Sequence, residues 1–166
     1  MKTQRKFPTI EECTLLDIAG PWKTKSEGML SVLFSLPHTK VMESFLSYDQ
    51  DELKMLPRDI RGLRSYNVSN LRKGAVGGLE FHRIRKELLF AVQGSISLKL
   101  TDIHHQVKTI TLDKSTGMYI PPFIIHEYKV LEDNTSLVGI ANTLYFAEDK
   151  GTHDTYSEQE FWEIAQ

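Results

Sequence analysis

Gly77-Gly78-Leu79-Glu80-Phe81-His82 begins a region that continues through Glu87 and Gly94 and ends with Gly117-Met118-Tyr119-Ile120-Pro121-Pro122 and His126. The glycines suit turns between strands, and the two prolines favour an extended approach to a short strand. Four ionisable residues interrupt this apolar, strand-like sequence: Glu80, His82, Glu87 and His126. Because a buried ionisable group is costly unless it is paired or used, these four residues are candidates for a functional site.

Short apolar runs on both sides of this region predict further strands. Ser95 to Leu100 alternates between polar and apolar residues, as expected of a half-buried strand. Residues 38–57 predict a loop or short helix, inserted between strands. The predicted strands are 14–18, 28–36, 63–68, 79–81, 87–92, 95–100, 107–112, 117–120, 124–131 and 137–146. Short strands at this regular spacing indicate an all-β sandwich or barrel, and glycine-framed motifs around a hairpin favour a jelly roll.

The end of the chain has a different pattern. Ser157-Glu158-Gln159-Glu160 matches a capping box, with Ser157 as N-cap and Glu160 three residues later. Apolar side chains follow at Phe161, Trp162 and Ile164. We therefore expect a short C-terminal helix that is anchored on the body of the fold.

Composition limits the possible classes of protein. The 166 residues suit one domain over 1–166, with an N-terminal arm and strands over 1–60, a core over about 61–148 and a tail over 149–166. A net charge of −2 argues against a general nucleic-acid binder. The single cysteine, Cys13, excludes an intrachain disulfide and favours a reducing, cytoplasmic setting. We expect no membrane segment, because no apolar run approaches the ~20 residues that a span needs.

The spacing of the glycines and ionisable residues resembles the cupin double motif. Glu87 lies five residues after His82, Gly94 seven after Glu87, and His126 nine after Gly117. Glu80 stands where the first histidine of that motif would be, and Phe123 replaces the usual glycine. The resemblance implies a cupin jelly roll, which is a double-stranded β-helix.

Within the cupins, the chain most resembles the FdtA-like, or WxcM-like, dTDP-sugar 3,4-ketoisomerases. Four segments carry this resemblance: 28–30, 63–68, 117–128 and 154–161. Among them, 117–128 is the best local match. Leu79-Glu80-Phe81-His82 is also similar to a segment of the RmlC-like dTDP-sugar 3,5-epimerases.

The resemblance implies a homodimer that binds a dTDP-4-keto-6-deoxyhexose and isomerises it without a metal or other cofactor. In such a reaction a base removes the proton at C3, an enediol forms, and a proton returns at C4. Two histidines of a His-x-His pair move the protons in that family. Here His82 matches one of them, and Glu80 occupies the position of the other.

We therefore expect Glu80 and His82 to transfer protons, with Tyr66 assisting. A desolvated glutamate whose pKa rises toward about 6–7 suits proton abstraction next to a ketone. Arg64 and Tyr66 are two residues apart and share a strand face, so both can reach the same cavity. The residues expected to bind the sugar nucleotide are Arg64, Arg72, His126 and Tyr128, since arginine suits a diphosphate.

Other functions remain open at the level of sequence. Glu80, His82, Glu87 and His126 occupy the four ligand positions of metal-binding cupins, and two imidazoles with two carboxylates can hold Fe(II), Mn(II) or Zn(II). The chain could also be a 3,5-epimerase or a non-catalytic sugar-nucleotide binding module. In a purely structural alternative, Glu80 forms an ion pair with Arg64 or Arg85 inside the barrel, and the lumen has no catalytic role.

Overall fold

Two five-stranded antiparallel sheets pack against each other in the computed structural model, which describes residues 6–34 and 40–165. The first sheet has the strand order β1-β9-β6-β11-β4, and the second has the order β12-β5-β10-β7-β8. Strands β2 and β3 form a separate hairpin. The strands are β1 (Thr14–Asp17), β2 (Ala19–Lys23), β3 (Met29–Val32), β4 (Arg61–Leu71), β5 (Val76–Phe81), β6 (Glu87–Gln93), β7 (Ile96–Thr101), β8 (Val107–Leu112), β9 (Thr116–Ile120), β10 (Ile125–Val130), β11 (Thr135–Thr143) and β12 (Tyr156–Ser157).

Three short helices accompany the sheets in the described part of the chain. They are α1 (Lys40–Phe45), α2 (Gln50–Leu53) and α3 (Glu158–Ala165), and 3-10 turns lie at Ile10–Glu12 and Lys150–Thr152. No helix within the described ranges is long and apolar enough to cross a bilayer.

The main core lies between the sheets. Ile96, Leu98 and Leu100 of β7 are fully buried at every second position, as the alternation predicts. They pack in one cluster with Leu89 of β6 and Met118 of β9, which belong to the other sheet. The predicted all-β jelly roll with a short C-terminal helix is therefore confirmed.

The hairpin near the N-terminus differs from the prediction. Residues 28–36 are predicted as one strand, but β3 covers only Met29–Val32, and 35–36 lie outside the described residues. Its partner β2 was not predicted, because Gly20 and Pro21 usually break a strand. Trp22 and Leu30 lie opposite each other in this hairpin, and both side chains are exposed.

The insertion predicted at 38–57 contains α1 and α2 in its described part, and it packs on the first sheet. Phe45 is buried against Tyr119 of β9. Asn142 of β11 donates from Nδ2 to the Phe45 carbonyl at 2.9 Å, and its Oδ1 accepts the Lys86 N–H at 2.7 Å. Lys86 in turn donates from Nζ to the Ser47 carbonyl at 2.8 Å. The insertion is thus tied to the residue that precedes Glu87.

The predicted C-terminal helix and its capping box are also confirmed. The Glu160 N–H donates to Ser157 Oγ at 3.3 Å, and the Ser157 N–H donates to Glu160 Oε2 at 2.7 Å. Phe161 is buried, with its ring centroid 5.0 Å from that of Phe81. Trp162 stacks on His105 in the β7–β8 turn. The helix therefore closes the outer face of the second sheet near β5.

Candidate active site

The ionisable residues of the two motifs meet between the sheets. Glu80 on β5 and His126 on β10 are register partners in the second sheet. Glu87 begins β6, and Tyr66 lies on β4, so these two side chains come from the first sheet. His82 follows the last residue of β5 and reaches the same point. The structure thus brings together five residues that the sequence had singled out.

A β-bulge aims Glu80 into this cluster. His126 pairs with Glu80, but the next residue of β10 pairs with Gly78, so the register shifts at Leu79. Leu79 has a φ of 63°, which is unusual for a large side chain. Bulges of this kind redirect side chains beside functional sites, and strained backbone is concentrated there. The bulge places the Glu80 carboxylate on the side of β5 that faces His82.

Glu87 is at the centre of the cluster. Its Oε1 accepts hydrogen bonds from the Tyr66 hydroxyl and from Arg85 Nη1, each at 3.1 Å. Its Oε2 lies 3.8 Å from Nε2 of His82 and 3.8 Å from Nε2 of His126. The sequence marked Glu87 as a site candidate and an alternative metal ligand, and the geometry gives it contacts to Tyr66 and Arg85.

The ring of His82 is held in one orientation. Its Nδ1 lies 2.7 Å from the Asp154 carbonyl, which can only accept, so Nδ1 carries the proton. In the neutral ring Nε2 then holds the lone pair, and this buried atom has no hydrogen-bond partner among the described residues. Burial, Arg85 and His126 lower the pKa of His82 well below 6.5. His82 is therefore neutral at neutral pH, with an open proton acceptor.

His126 is held in a similar way. Its Nδ1 lies 3.1 Å from the Ile124 carbonyl, so it too presents Nε2 to the cluster. The ring centroids of His126 and His82 are 5.0 Å apart. Two imidazole nitrogens therefore face one carboxylate, that of Glu87.

Glu80 is the more accessible of the two carboxylates. Its side chain is 36% exposed, compared with 4% for Glu87, and its Oε1 lies 3.9 Å from Nε2 of His82. Within the described part of the chain, Glu80 forms no salt bridge with Arg64 or Arg85, and Arg85 pairs with Glu87 instead. The alternative that Glu80 merely neutralises one of these arginines is therefore wrong for this structure.

Two tyrosines lie over glycines of neighbouring strands. A Cβ at Gly139 would overlap the Tyr66 ring, and a Cβ at Gly77 would overlap the Tyr128 ring. Burial and the Glu87 carboxylate raise the pKa of Tyr66, so its hydroxyl remains a donor. Burial, with Glu80 nearby, also raises the pKa of Tyr128. The motif glycine Gly77 thus makes room for a tyrosine close to Glu80.

The two arginines that were expected to bind substrate, Arg64 and Arg72, lie in different places. Arg64 is half-buried, its guanidinium lies 5.7 Å from the Tyr66 ring centroid, and its Nε has no hydrogen-bond partner within the described ranges. Burial and the nearby Arg85 lower the pKa of Arg64 below its usual value. Arg72, in contrast, lies in the exposed turn after β4, roughly 20 Å from Tyr66 along an extended strand. The structure therefore brings Arg64 to the cluster and leaves Arg72 outside it.

Sequence reasoning missed two contributors. Arg85 was considered only as a partner of Glu80, whereas its guanidinium pairs with Glu87 from the turn that precedes β6. Asp154 was noted only as part of the tail, yet its carbonyl binds His82 and its carboxylate binds the turn before β6. A contact across 72 residues leaves no local pattern in the sequence.

The same cluster has a donor set that fits a metal ion. One ligand atom each from Glu80, His82 and His126 lies within 4.8 Å of the others. Both histidines hold their Nδ1 on backbone carbonyls, which is how metal-binding histidines are usually oriented. Imidazole and carboxylate together suit Fe(II), Mn(II) or Zn(II).

Sequence comparison places the chain in a known family. The family model described as "FdtA: WxcM-like, C-terminal" matches residues 30–161, which is most of the chain. The chain belongs to the WxcM-like FdtA family. No curated protein matched the sequence of this FdtA-family member in a separate search.

Solved structures share the fold of this FdtA-family chain. QdtA, a sugar 3,4-ketoisomerase from Thermoanaerobacterium thermosaccharolyticum solved in complex with TDP, aligns with a TM-score of 0.61 and 20% identity over 92% of this chain and 93% of that chain. WlaRB, a TDP-quinovose 3,4-ketoisomerase from Campylobacter jejuni, aligns with a TM-score of 0.63 and 20% identity over 93% of this chain and 99% of that chain. A dTDP-4-dehydrorhamnose 3,5-epimerase from Bacillus anthracis aligns with a TM-score of 0.59 and 15% identity over 89% of this chain and 86% of that chain. At these identities the likeness establishes the fold.

Proposed function

We propose that this protein isomerises a nucleotide-linked 4-keto-6-deoxy sugar, moving the ketone between C4 and C3 through an enediol. The observation that carries the proposal is the buried Nε2 of neutral His82, which has no hydrogen-bond partner among the described residues and faces Glu80 and Glu87 between the sheets. Membership of the FdtA family supports the reaction type. The TDP complex of QdtA supports the class of substrate.

His82 is proposed to accept the proton from C3. A neutral imidazole with a pKa below its usual range holds its lone pair ready at neutral pH. The charge that develops on the enediolate is stabilised by the Tyr66 hydroxyl and by the Arg64 guanidinium, both of which are close to the cluster. The proton then returns at C4.

Glu80 is proposed to carry the hydroxyl proton. As the ketone moves, O3 must lose a proton and O4 must gain one. A carboxylate can accept from one oxygen and donate to the other, and Glu80 is the more exposed acid of the site. In this division of labour Glu80 serves the sugar oxygens and His82 serves the sugar carbons.

Substrate binding is proposed to involve Arg64, His126 and Tyr128 around the cluster. Arg64 has an Nε–H without a partner among the described residues, so it can donate to a ligand oxygen. Arg72 lies in the exposed turn after β4, and its proposed role in binding phosphates remains a prediction. The protein is further proposed to be a single cupin domain that acts in the cytoplasm without a cofactor.

The test is an NMR time course of dTDP-4-keto-6-deoxyglucose with metal-free protein in deuterated water. A new 3-keto sugar with deuterium at C4 is the expected result. Deuterium at C3 and C5 with the ketone still at C4 would instead indicate a 3,5-epimerase. Absence of both a 3-keto product and any exchange at saturating sugar would leave a binding module and contradict the enzymatic proposal.

A metal-dependent cupin enzyme is the second candidate, because the donor atoms of Glu80, His82 and His126 converge. A bound metal would supply Lewis acidity for polarising a ligand oxygen. Elemental analysis of the purified protein tests this candidate. One equivalent of metal that survives dialysis, and activity that chelator abolishes and metal restores, would favour it over the metal-free isomerase.

A homodimer is proposed from the apolar surface near the N-terminus. The hairpin exposes Trp22, Met29 and Leu30, and β2 and β3 pair with no other described strand. β4, an outer strand of the first sheet, exposes Leu63 and Val68. Exposed apolar side chains and long outer strands are features that proteins usually cover.

A further inference from the structure

Asp154 connects to His82 in two ways. Its carbonyl oxygen accepts the Nδ1–H of His82 at 2.7 Å. Its carboxylate accepts three backbone N–H groups from the residues that follow His82: Arg83 at 3.0 Å, Ile84 at 3.1 Å and Arg85 at 2.7 Å. The turn between His82 and β6 therefore forms around the Asp154 carboxylate. The main-chain carbonyl of the same residue fixes the orientation of the His82 imidazole.

The residue type at position 154 follows from this geometry. A carboxylate only accepts and has lone pairs on both oxygens, so it can satisfy three N–H groups at once. Asp154 is buried, and without it these N–H groups would lose their partner away from water. Its φ of 23° is unusual outside glycine, and a residue stays in such a conformation only when its surroundings hold it there.

We propose that Asp154 is the positioning residue that keeps Nε2 of His82 free as the proton acceptor. The catalytic meaning of that position rests on the proposed function. The other neutral tautomer would set the Nδ1 lone pair of His82 against the lone pairs of the Asp154 carbonyl, which is repulsive. If the carboxylate no longer holds the turn, the carbonyl moves away from Nδ1 and both tautomers become accessible.

The chain contains a matched control for this role. Asp102 is also buried and also accepts three backbone N–H groups, from Ile10 at 3.1 Å, His104 at 2.9 Å and Gln106 at 3.0 Å. It holds the β7–β8 turn and has no contact with the active-site cluster among the described residues. Asp102→Ala therefore removes the same number of hydrogen bonds as Asp154→Ala without touching His82.

The experiment measures the tautomer directly, by NMR of protein labelled with 15N in its imidazole rings. Loss of signals in His82→Asn assigns His82. In the wild type and in Asp102→Ala, we expect Nε2 of His82 to have the shift of an unprotonated nitrogen from pH 6 to 8. In Asp154→Ala, we expect intermediate shifts at both ring nitrogens. Asp154→Asn, which retains one acceptor oxygen, should give a smaller change, and it carries the test if the alanine variant does not fold.

Kinetics supply the second measurement. Asp154→Ala should lower kcat about 10- to 100-fold, as loss of an orienting partner usually does, with a smaller change in KM and a shifted pH profile. Unchanged His82 shifts in both Asp154 variants would overturn the proposal, and so would an equal loss of kcat in Asp102→Ala. The tautomer measurement needs no substrate, so a wild-type protein without isomerase activity would refute the proposed function separately.

Discussion

A carboxylate at position 80 changes what this part of the site can do. An imidazole can accept one proton and donate another from opposite sides of a ring, whereas Glu80 accepts and donates from two oxygens of one group. Its Oε1 is 3.9 Å from Nε2 of His82, so both groups can reach neighbouring atoms of one sugar. A hydroxyl proton that moves between O3 and O4 needs this kind of shuttle.

The first prediction follows from that assignment. Glu80→Gln should lower kcat by about 10²–10⁴-fold, the usual contribution of a general acid or base, while KM changes little. Glu80→His should retain part of the activity, because an imidazole can also move a hydroxyl proton. The measurement is the rate of 3-keto sugar formation by NMR.

Exposed residues provide controls for these substitutions. Glu148→Gln and His104→Asn change exposed side chains and should leave kcat unaltered. His82→Asn should lose as much activity as Glu80→Gln. Full turnover in both Glu80→Gln and His82→Asn would refute the assignment of proton transfer to these residues.

The second prediction concerns stability and pH. Burial, Arg85 and His126 hold the pKa of His82 well below 6.5, so the unfolded chain binds a proton at a higher pH than the folded one. Its contribution to stability is therefore complete above pH 6.5 and is lost as the pH falls toward the folded-state pKa. Between pH 7.5 and 5.5 this loss is about 1 kcal/mol for one such group.

Urea unfolding at the two pH values measures this contribution. His82→Asn, whose amide can still donate to the Asp154 carbonyl, should remove about 1 kcal/mol of the pH dependence. His104→Asn, in the exposed turn, should leave the wild-type dependence intact. If the wild type and His82→Asn lose the same free energy of unfolding, the neutral assignment of buried His82 is wrong.

The sequence revealed residue types better than it revealed their partners. Glu80, His82 and His126 were recognised because polar groups stood out in apolar runs, and the structure brings them together. The role of Arg85 depends on which carboxylate it meets, and that is decided by the packing of two sheets. The contact of Asp154 with His82 depends on the path of the chain after β11.

At the scale of elements, local periodicity predicted the strands that have one buried face. β7 alternates clearly, and its predicted span of 95–100 differs from Ile96–Thr101 by one residue at each end. β5 was predicted only from Leu79, whereas it begins at Val76, because the bulge at Leu79 breaks the two-residue period. The alternation of polar and apolar residues therefore predicts regular strands, but it does not predict the extent of a strand that contains a β-bulge beside the active-site cluster.

The third prediction concerns helix α3, which the capping box identified. Phe161 is 1% exposed and packs against Phe81 of β5. Phe161→Ala should lower the free energy of unfolding by about 3–5 kcal/mol, because it removes a large buried ring and leaves a cavity. Urea unfolding measures the loss. Ile164→Ala, at a partly buried position of the same helix, should cost less, and equal losses would contradict the docking of α3 through Phe161.

At the scale of the whole molecule, most of the large apolar side chains that remain exposed lie in the first half of the sequence. Trp22 and Leu30 face each other in the hairpin, with 51% and 53% of their surfaces exposed. Large apolar side chains in such a pair are typical of the buried centre of an interface. A second copy of the chain, which the family resemblance implies, would cover this surface.

The fourth prediction is therefore a dimer that depends on the hairpin. The wild type should have about twice the 19.1 kDa mass of one chain by light scattering after size exclusion. Trp22→Ser with Leu30→Ser should yield the monomer mass, because the apolar area that drives association is lost. Val76→Ser with Val107→Ser removes exposed apolar groups from the second sheet and should leave the dimer intact. A wild-type mass near 19.1 kDa would rule out the homodimer, and a dimer that survives the hairpin variant would place its interface elsewhere.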